Sequence, residues 1–305
     1  MARVFIDGEV GTTGLQIRQR LAGRSDIDLI SLSDDRRKDI SARLEACIAA
    51  DVAILCLPDD AAREVVKAVQ GHDVRLIDAS TAHRIAEGWV FGFAELTPDQ
   101  RRTIAAADRV SNPGCYSTGA IALLRPLVDA GLVAPDAAVS INAVSGYSGG
   151  GKAMIAEFEA DTAPPLFVYG TDQHHKHLPE IMQHGGLSRR PVFSPSVGNF
   201  AQGMIVQIPM AVGPGDIARL RSALADRYAD AQFVEVADGP APKRLDPTEL
   251  NGTNLMRLHV GGDDDLRTAV LYAQLDNLGK GASGAAVQAL NLMLGQPEET
   301  GLTTR

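Results

Sequence analysis

Val4-Phe5-Ile6-Asp7-Gly8-Glu9-Val10-Gly11-Thr12-Thr13-Gly14, followed by the apolar positions Leu15, Ile17 and Leu21, reads as a short buried strand, a glycine turn and an amphipathic helix. The glycine spacing is Gly-x-x-Gly-x-x-Gly. Its meaning comes from its place between a strand and a helix rather than from the spacing itself. Glycines there let backbone N–H groups approach a pyrophosphate, and the helix start stabilises its charge. Gly8, Gly11, Thr12, Thr13 and Gly14 are therefore expected to bind a dinucleotide.

Working outward, Asp28–Leu32 is a second strand that runs into Ser33-Asp34-Asp35-Arg36-Arg37. An acid at this strand end suits a ribose 2′-OH, whereas a small hydroxyl followed by arginines suits a 2′-phosphate. Ser33 and Arg36 favour NADP; Asp34 and Asp35 argue for NAD. Val52–Leu57 ends at Pro58, Ala61–Val69 reads as a helix, and Arg75–Ser80 and Asp108–Val110 supply further strands. Strands alternating with helices predict a doubly wound parallel sheet, an α/β domain of Rossmann type. Ligands in such sheets sit at the carboxyl ends of strands. Gly8, Pro58, Ser80 and Cys115 all fall at such ends, so one crevice is expected to hold cofactor and thiol together.

Ser111-Asn112-Pro113-Gly114-Cys115-Tyr116-Ser117-Thr118-Gly119 places a cysteine on a tight turn at the mouth of an apolar helix that carries Ile121, Leu123, Leu124, Leu127 and Val128. The first N–H groups of a helix favour the thiolate, the nucleophilic form, and can hold an oxyanion or a phosphate. Cys115 is expected to be catalytic. Cys47 and Cys56, inside apolar runs, are read as buried structural thiols.

Ala138–Val144 is a strand leading to Ser145-Gly146-Tyr147-Ser148-Gly149-Gly150-Gly151-Lys152, a loop whose backbone could approach an anion. Phe158–Asp172 shows no period and is broken at Pro164-Pro165. Gln173-His174-His175-Lys176-His177-Leu178-Pro179-Glu180-Ile181 holds three histidines in four residues; with no second ligand group nearby, a proton shuttle is favoured over a metal. His175 and His177 are both candidates, and they share a face only if the segment is a strand. Val192–Val197 and Gly203–Met210 read as antiparallel strands, Asp216–Ala229 as a helix, and Phe233–Val236, Leu255–Val260 and Thr268–Leu275 as strands. This half is expected to be α+β, with helices on one face of its sheet. Asp276-Asn277-Leu278-Gly279-Lys280-Gly281-Ala282-Ser283-Gly284 opens a last helix, Ala285–Leu294, expected to pack on the first domain.

The 305 residues suggest two domains, 1–114 plus 280–305 for the cofactor and 115–279 for catalysis. A formal charge of −9 argues against a nucleic-acid partner. No apolar run approaches the roughly 20 residues that span a bilayer. The N-terminus goes straight into a strand, and three scattered cysteines suggest neither disulfides nor a zinc ribbon. A cytoplasmic protein with reduced thiols is expected.

With these residues in hand, the chain resembles the N-acetyl-gamma-glutamyl-phosphate reductases of the shorter type, over nearly its whole length. The resemblance rests on Gly8–Gly14, Ser111–Gly119, Gly146–Lys152, His175–Ile181, Gly198–Pro209 and Asp276–Gly284. The one departure is Ser117, where the common form of the cysteine motif has another small residue or a proline. The resemblance implies an NADP-binding domain, a catalytic and dimerisation domain, a homo-oligomer (dimer or tetramer), and NADPH-dependent reduction of an acyl phosphate through a Cys115 thioester. It implies His177 as acid/base with His175 in reserve. It adds Pro58, Ser80 and Asn277 to the cofactor residues, assigns Arg84, Asn112, Ser145, Gly146, Lys152 and Glu180 to the substrate, and calls for no metal. Other acyl-phosphate reductases of the aspartate-semialdehyde or aminoadipyl-phosphate type, or a non-catalytic NADP-binding sensor, are the competing readings.

Overall fold

A computed structural model describes residues 1–304. From Ala2 to Ser111 the chain forms β1 (Ala2–Asp7), α1 (Thr12–Leu21), β2 (Ile27–Ile30), α2 (Ile40–Ala49), β3 (Val52–Leu55), α3 (Asp59–Ala68), β4 (Arg75–Asp78), β5 (Val90–Phe91), α4 (Gln100–Ala106) and β6 (Arg109–Ser111). There follow α5 (Cys115–Asp129), β7 (Ser140–Gly146), α6 (Gly151–Glu159), β8 (Leu166–Val168), α7 (Leu178–Gly185), β9 (Val192–Gly198), β10 (Met204–Ala211) and α8 (Asp216–Tyr228). The chain closes with β11 (Val234–Val236), β12 (Met256–Asp263), β13 (Thr268–Leu275) and α9 (Gly284–Met293).

Two compact units result. Met1–Ala94, Asp99–Pro113 and Ala282–Leu302 form the first; Glu95–Pro98, Gly114–Gly281 and the residues from Thr303 form the second. Relative to the division expected from sequence, residues 95–98, 114, 280–281 and 303–304 group with the second unit.

The first unit is a six-stranded parallel sheet in the order β2-β1-β3-β4-β6-β5. Both faces are apolar, as a doubly wound sheet requires. On one face Val4, Ile6, Val52, Ile54, Ile77 and Val110 pack against Ile17 and Leu21 of α1, Ile104 of α4 and Val287 and Leu290 of α9. On the other, Phe5, Ala53, Leu55 and Leu76 meet Ala46 and Cys47 of α2 and Val65 and Val66 of α3. Helix α9 thus belongs to this unit although it lies some 170 residues beyond the rest, and its alanines allow the close approach expected of it.

The second unit is a seven-stranded mixed sheet, β11-β12-β13-β10-β7-β9-β8. Strands β9 and β10 run in opposite directions but do not pair, because β7 lies between them, parallel to β9 and antiparallel to β10. One face is apolar and covered by helices. There Gly119 of α5 lies so close to the sheet that a Cβ would stand 2.8 Å from Val206 Cγ2. The other face carries a row in register, Ser194, Asn142, Gln207 and Tyr272, all half-buried or exposed. The region from Phe158 to Asp172 that showed no period holds the end of α6 and the edge strand β8. That strand is three residues long, too short to print an alternation.

Candidate active site

In the first unit the glycine turn is shaped by contacts that side chains would block. Gly8 has φ +88°, a conformation L-residues avoid, and its missing side chain faces the Cys56 carbonyl. A Cβ on Gly14 would run into the Gly8 carbonyl oxygen and stand 2.8 Å from Glu9 Cα. Gly11 caps α1, so the first-turn N–H groups of Thr12, Thr13 and Gly14 face the turn, where helix geometry leaves them open to an anion. Beside them lies a cavity of about 180 Å³ lined by Phe5–Val10, Leu32, Arg37, Lys38 and Arg43. Asp7, 2% exposed, is neutralised by Arg43 through hydrogen bonds of 2.7 and 2.9 Å. This cradle fits the phosphates of a dinucleotide.

The cations at the cavity differ from those expected. Arg36 turns away to Glu45 at 3.1 Å, while Arg37, held by Asp34 at 2.9 Å, and Lys38 line the cavity. The turn carries this shift, since the Arg36 and Arg37 N–H groups both donate to the Ser33 carbonyl. The Ser33 hydroxyl is engaged with Asp35 and holds that carboxyl below its usual range. Asp34 and Asp35 are thereby occupied by cation and hydroxyl instead of facing the cavity. Pro58 caps α3, and Ser80 donates to Asp78 at 2.7 Å, a carboxylate that also takes His83 Nδ1 at 2.6 Å. Arg84 Nε donates to the Asn112 carbonyl at 3.0 Å. The Asn112 amide donates to Ala282 at 3.0 Å, and its Oδ1 is buried with no hydrogen-bond partner among the described residues.

In the second unit Cys115 is the first residue of α5, half-buried, with Gly114 at the cap. Thr118 N–H and the hydroxyls of Ser117 and Thr118 all donate to the Gly114 carbonyl, at 2.9, 2.7 and 2.9 Å. Ser117 therefore makes an extra tie at the helix start and leaves the thiol's side of the turn unchanged. Glu180, 1% exposed, accepts the Gly114 N–H at 3.2 Å with Oε2 and stands 4.0 Å from His177 Nε2 with Oε1. One carboxylate thus reaches both the residue before the thiol and the imidazole. Sequence reasoning placed Glu180 among substrate contacts; its position in the first turn of α7, three residues after His177, was the signal that it also faces the histidine.

The two histidines separate cleanly. The His177 N–H donates to His175 Nδ1 at 3.1 Å, and His175 Nε2 meets the Tyr169 hydroxyl at 3.3 Å. Both His175 nitrogens are used within the protein. His177 is 5% exposed at the cap of α7, its ring 4.7 Å from that of His175 and at 79° to it. The segment is a turn rather than a strand or a helix, and the two rings still meet. Tyr116 packs on both, its ring centroid 5.9 Å from each. Burial and the nearby Cys115 charge push the Tyr169 hydroxyl up to about 12, so it stays protonated at neutral pH.

The remaining candidates are spread through the second unit. Ser145 is buried and donates to Gly146 O at 3.1 Å, and Gly146 has no room for a Cβ beside Ala201 and Phe200. Lys152 is exposed in the first turn of α6. Asn277 is buried in the second unit, accepting Gly203 N–H at 2.8 Å and donating to Ser148 at 3.1 Å. Among the described residues no group of three or more His, Cys, Asp or Glu is arranged to hold a metal, and no helix is long and apolar enough to cross a membrane.

Burial pushes the Cys47 and Cys56 thiols up to about 12. At pH 8 only about one in ten thousand of either is ionised. Iodoacetamide at pH 8 should therefore label Cys115 alone, read by peptide mapping. Cys47 is buried and Cys56, read from sequence as buried, is half-buried, so comparable labelling of either would contradict its raised thiol rather than its exposure alone.

The comparisons with known proteins agree with this geometry. Residues 3–104 match the semialdehyde dehydrogenase NAD binding domain, and residues 115–277 the semialdehyde dehydrogenase dimerisation domain. N-acetyl-gamma-glutamyl-phosphate reductase of Brucella anthropi is 53% identical over 96% of this chain and 99% of its own. N-acetyl-gamma-glutamyl-phosphate reductase 2 of Nostoc sp. is 49% identical over 98% and 99%. Among solved structures, aspartate semialdehyde dehydrogenase II of Vibrio cholerae shares the fold with a TM-score of 0.70 at 17% identity, covering 97% of this chain and 98% of that one. The enzyme from Francisella tularensis does so at 0.72 and 14%, covering 96% and 100%. The chain belongs to the N-acetyl-gamma-glutamyl-phosphate reductase family, within the NAD(P)-binding semialdehyde dehydrogenases.

Proposed function

We propose that this enzyme reduces N-acetyl-L-glutamyl 5-phosphate to N-acetyl-L-glutamate 5-semialdehyde and inorganic phosphate, a step of arginine biosynthesis, with NADPH as the hydride source. The observation that carries the mechanism is the Glu180 carboxylate joining Gly114, next to the thiol, to His177. Cys115 Sγ, as thiolate at a helix start, attacks the acyl carbon; the C–S bond forms as the C–O bond to phosphate breaks, and phosphate leaves with the electron pair. NADPH, when bound, supplies the hydride that turns the thioester into a thiohemiacetal. His177, with the Glu180 carboxylate 4.0 Å from its Nε2, gives a proton to the developing oxygen and recovers it as the C–S bond breaks. First-turn N–H groups of α5 lie at the same helix end and stabilise charge on that oxygen. Glu180 is a positioning residue in this scheme, and His175 holds the turn. Arg84 is proposed to meet the phosphate of the substrate, and the Asn112 Oδ1, buried with no hydrogen-bond partner among the described residues, its acetamido N–H. The test runs the reaction backwards: the semialdehyde with NADP should give NADPH absorbance only when inorganic phosphate is added. Activity with aspartate semialdehyde in its place would shift the assignment to the sister enzymes.

NADP over NAD is proposed on the cavity cations. Lys38→Ala and Arg37→Ala should each narrow the NADPH/NADH ratio of kcat/KM about tenfold, about 1.4 kcal/mol, as loss of a phosphate contact does. Arg36→Ala, whose side chain faces Glu45, should leave the ratio within about twofold. A collapse of the ratio in the Arg36 variant alone would return the phosphate to that residue. A homo-oligomer is proposed through the helix-free face of the second sheet, where Asn142, Val192 and Pro209 are exposed.

A further inference from the structure

Lys280 is wholly buried, and its Nζ donates to both oxygens of Glu95 at 2.8 Å, the two side chains each 1% exposed. The ammonium also lies 5.6 Å from the Phe233 ring centroid. An ion pair so deep costs desolvation that its attraction barely offsets, and apolar residues of the same volume would serve stability as well or better. What the pair provides is direction, since a bidentate contact fixes where the lysine, and the backbone under it, must sit.

That backbone is a π-helical turn, Gly279–Ser283, a rare form that tends to occur at functional sites. Its start is clamped by Asp276, whose carboxylate accepts Leu278 N–H at 2.9 Å and Gly252 N–H at 2.8 Å, and whose carbonyl accepts Gly281 N–H at 3.0 Å. Its middle is clamped by Lys280. Immediately after Lys280, Gly281 lies flat on the thiol residue: a Cβ there would stand 2.8 Å from Cys115 Cβ and 3.3 Å from its Cα. Glu95 is itself anchored, since Arg227 of α8 donates to the neighbouring Leu96 carbonyl at 2.9 Å and pairs with Asp129 of α5 at 2.6 Å.

We infer that Lys280 and Glu95 are positioning residues for Cys115: the buried pair pins the turn so that Gly281 forms a fixed wall on one side of the thiol, while Glu180 holds Gly114 on the other. The inference rests on Cys115 as the nucleophile, but its test reads the thiol directly. The double substitution Glu95→Met/Lys280→Met removes the pair while filling its volume. It should melt within a few degrees of wild type and bind NADPH normally. Alkylation of Cys115 by iodoacetamide and kcat should both fall about tenfold, with the midpoint of the alkylation pH profile moved upward, because a thiol displaced from the helix start loses its alignment. A double variant that alkylates and turns over within about twofold of wild type would overturn the inference and leave the pair a purely structural one. Should that variant not fold, Glu95→Gln decides, since the amide oxygen keeps one bond to Nζ: alkylation slowed at least about threefold supports the inference, and an unchanged rate overturns it. Activity surviving in Cys115→Ala would refute the nucleophile assignment without touching the alkylation result.

Discussion

Cys115→Ala should lose more than about a thousandfold in kcat while NADPH binds with near wild-type affinity. The thiol supplies the covalent bond that divides the reaction into two easier steps, and nothing else on α5 can replace it: Ser117 and Thr118 spend their hydroxyls on the Gly114 carbonyl. The glycine turn that shapes the cofactor cradle lies in the other unit and is built from residues 8–14 and 56, so its affinity does not depend on the thiol. Cys115→Ser should be nearly as inactive, because a hydroxyl at neutral pH is almost wholly protonated where a thiol at a helix start is not. Stopped-flow hydride transfer with equilibrium NADPH titration separates the two quantities. Residual turnover above about one part in a thousand would move the nucleophile elsewhere.

Two features were legible in the sequence because their causes are local. The Gly8–Gly14 turn and the Cys115 helix start are each dictated by backbone conformation within a few residues, so glycine, proline and the apolar period announce them. The seven-stranded sheet was legible strand by strand, but not in its order. That β7 lies between β9 and β10 depends on pairings some 50 to 65 residues apart, which no local pattern encodes. The short helices α2, α4, α6 and α7 were missed as helices, since 7 to 10 residues give a weak period and tertiary packing supplies most of their stability. In the site, the sequence pattern pointed to Ser33 and Arg36, whereas Arg37 and Lys38 line the cavity, because composition cannot say which way a turn rotates its side chains. Lys280 and Glu95 stand 185 positions apart, and nothing in either neighbourhood names the other.

His177→Asn should cost about a hundredfold in kcat, the usual scale for losing a general acid. His175→Asn should cost less, because both ring nitrogens of His175 already serve the turn, one taking the His177 N–H and the other facing Tyr169. Its loss loosens the histidine turn and should appear mainly in KM. Glu180→Gln completes the argument. The amide oxygen still accepts the Gly114 N–H, so the thiol turn keeps its shape, but His177 Nε2 no longer faces a carboxylate. Removing the carboxylate that stands 4.0 Å from His177 Nε2 should lower kcat at neutral pH and alter the imidazole limb of the kcat profile. His177→Asn should abolish that limb altogether, while the remaining limb belongs to the thiol. Wild type should show the two ionisations as properties of the coupled pair, so the comparison is made between whole profiles and not single values. A Glu180→Gln profile that superimposes on wild type would separate the carboxylate from the proton transfer. Loss of the imidazole limb in His175→Asn, with both limbs intact in His177→Asn, would place the acid two residues upstream.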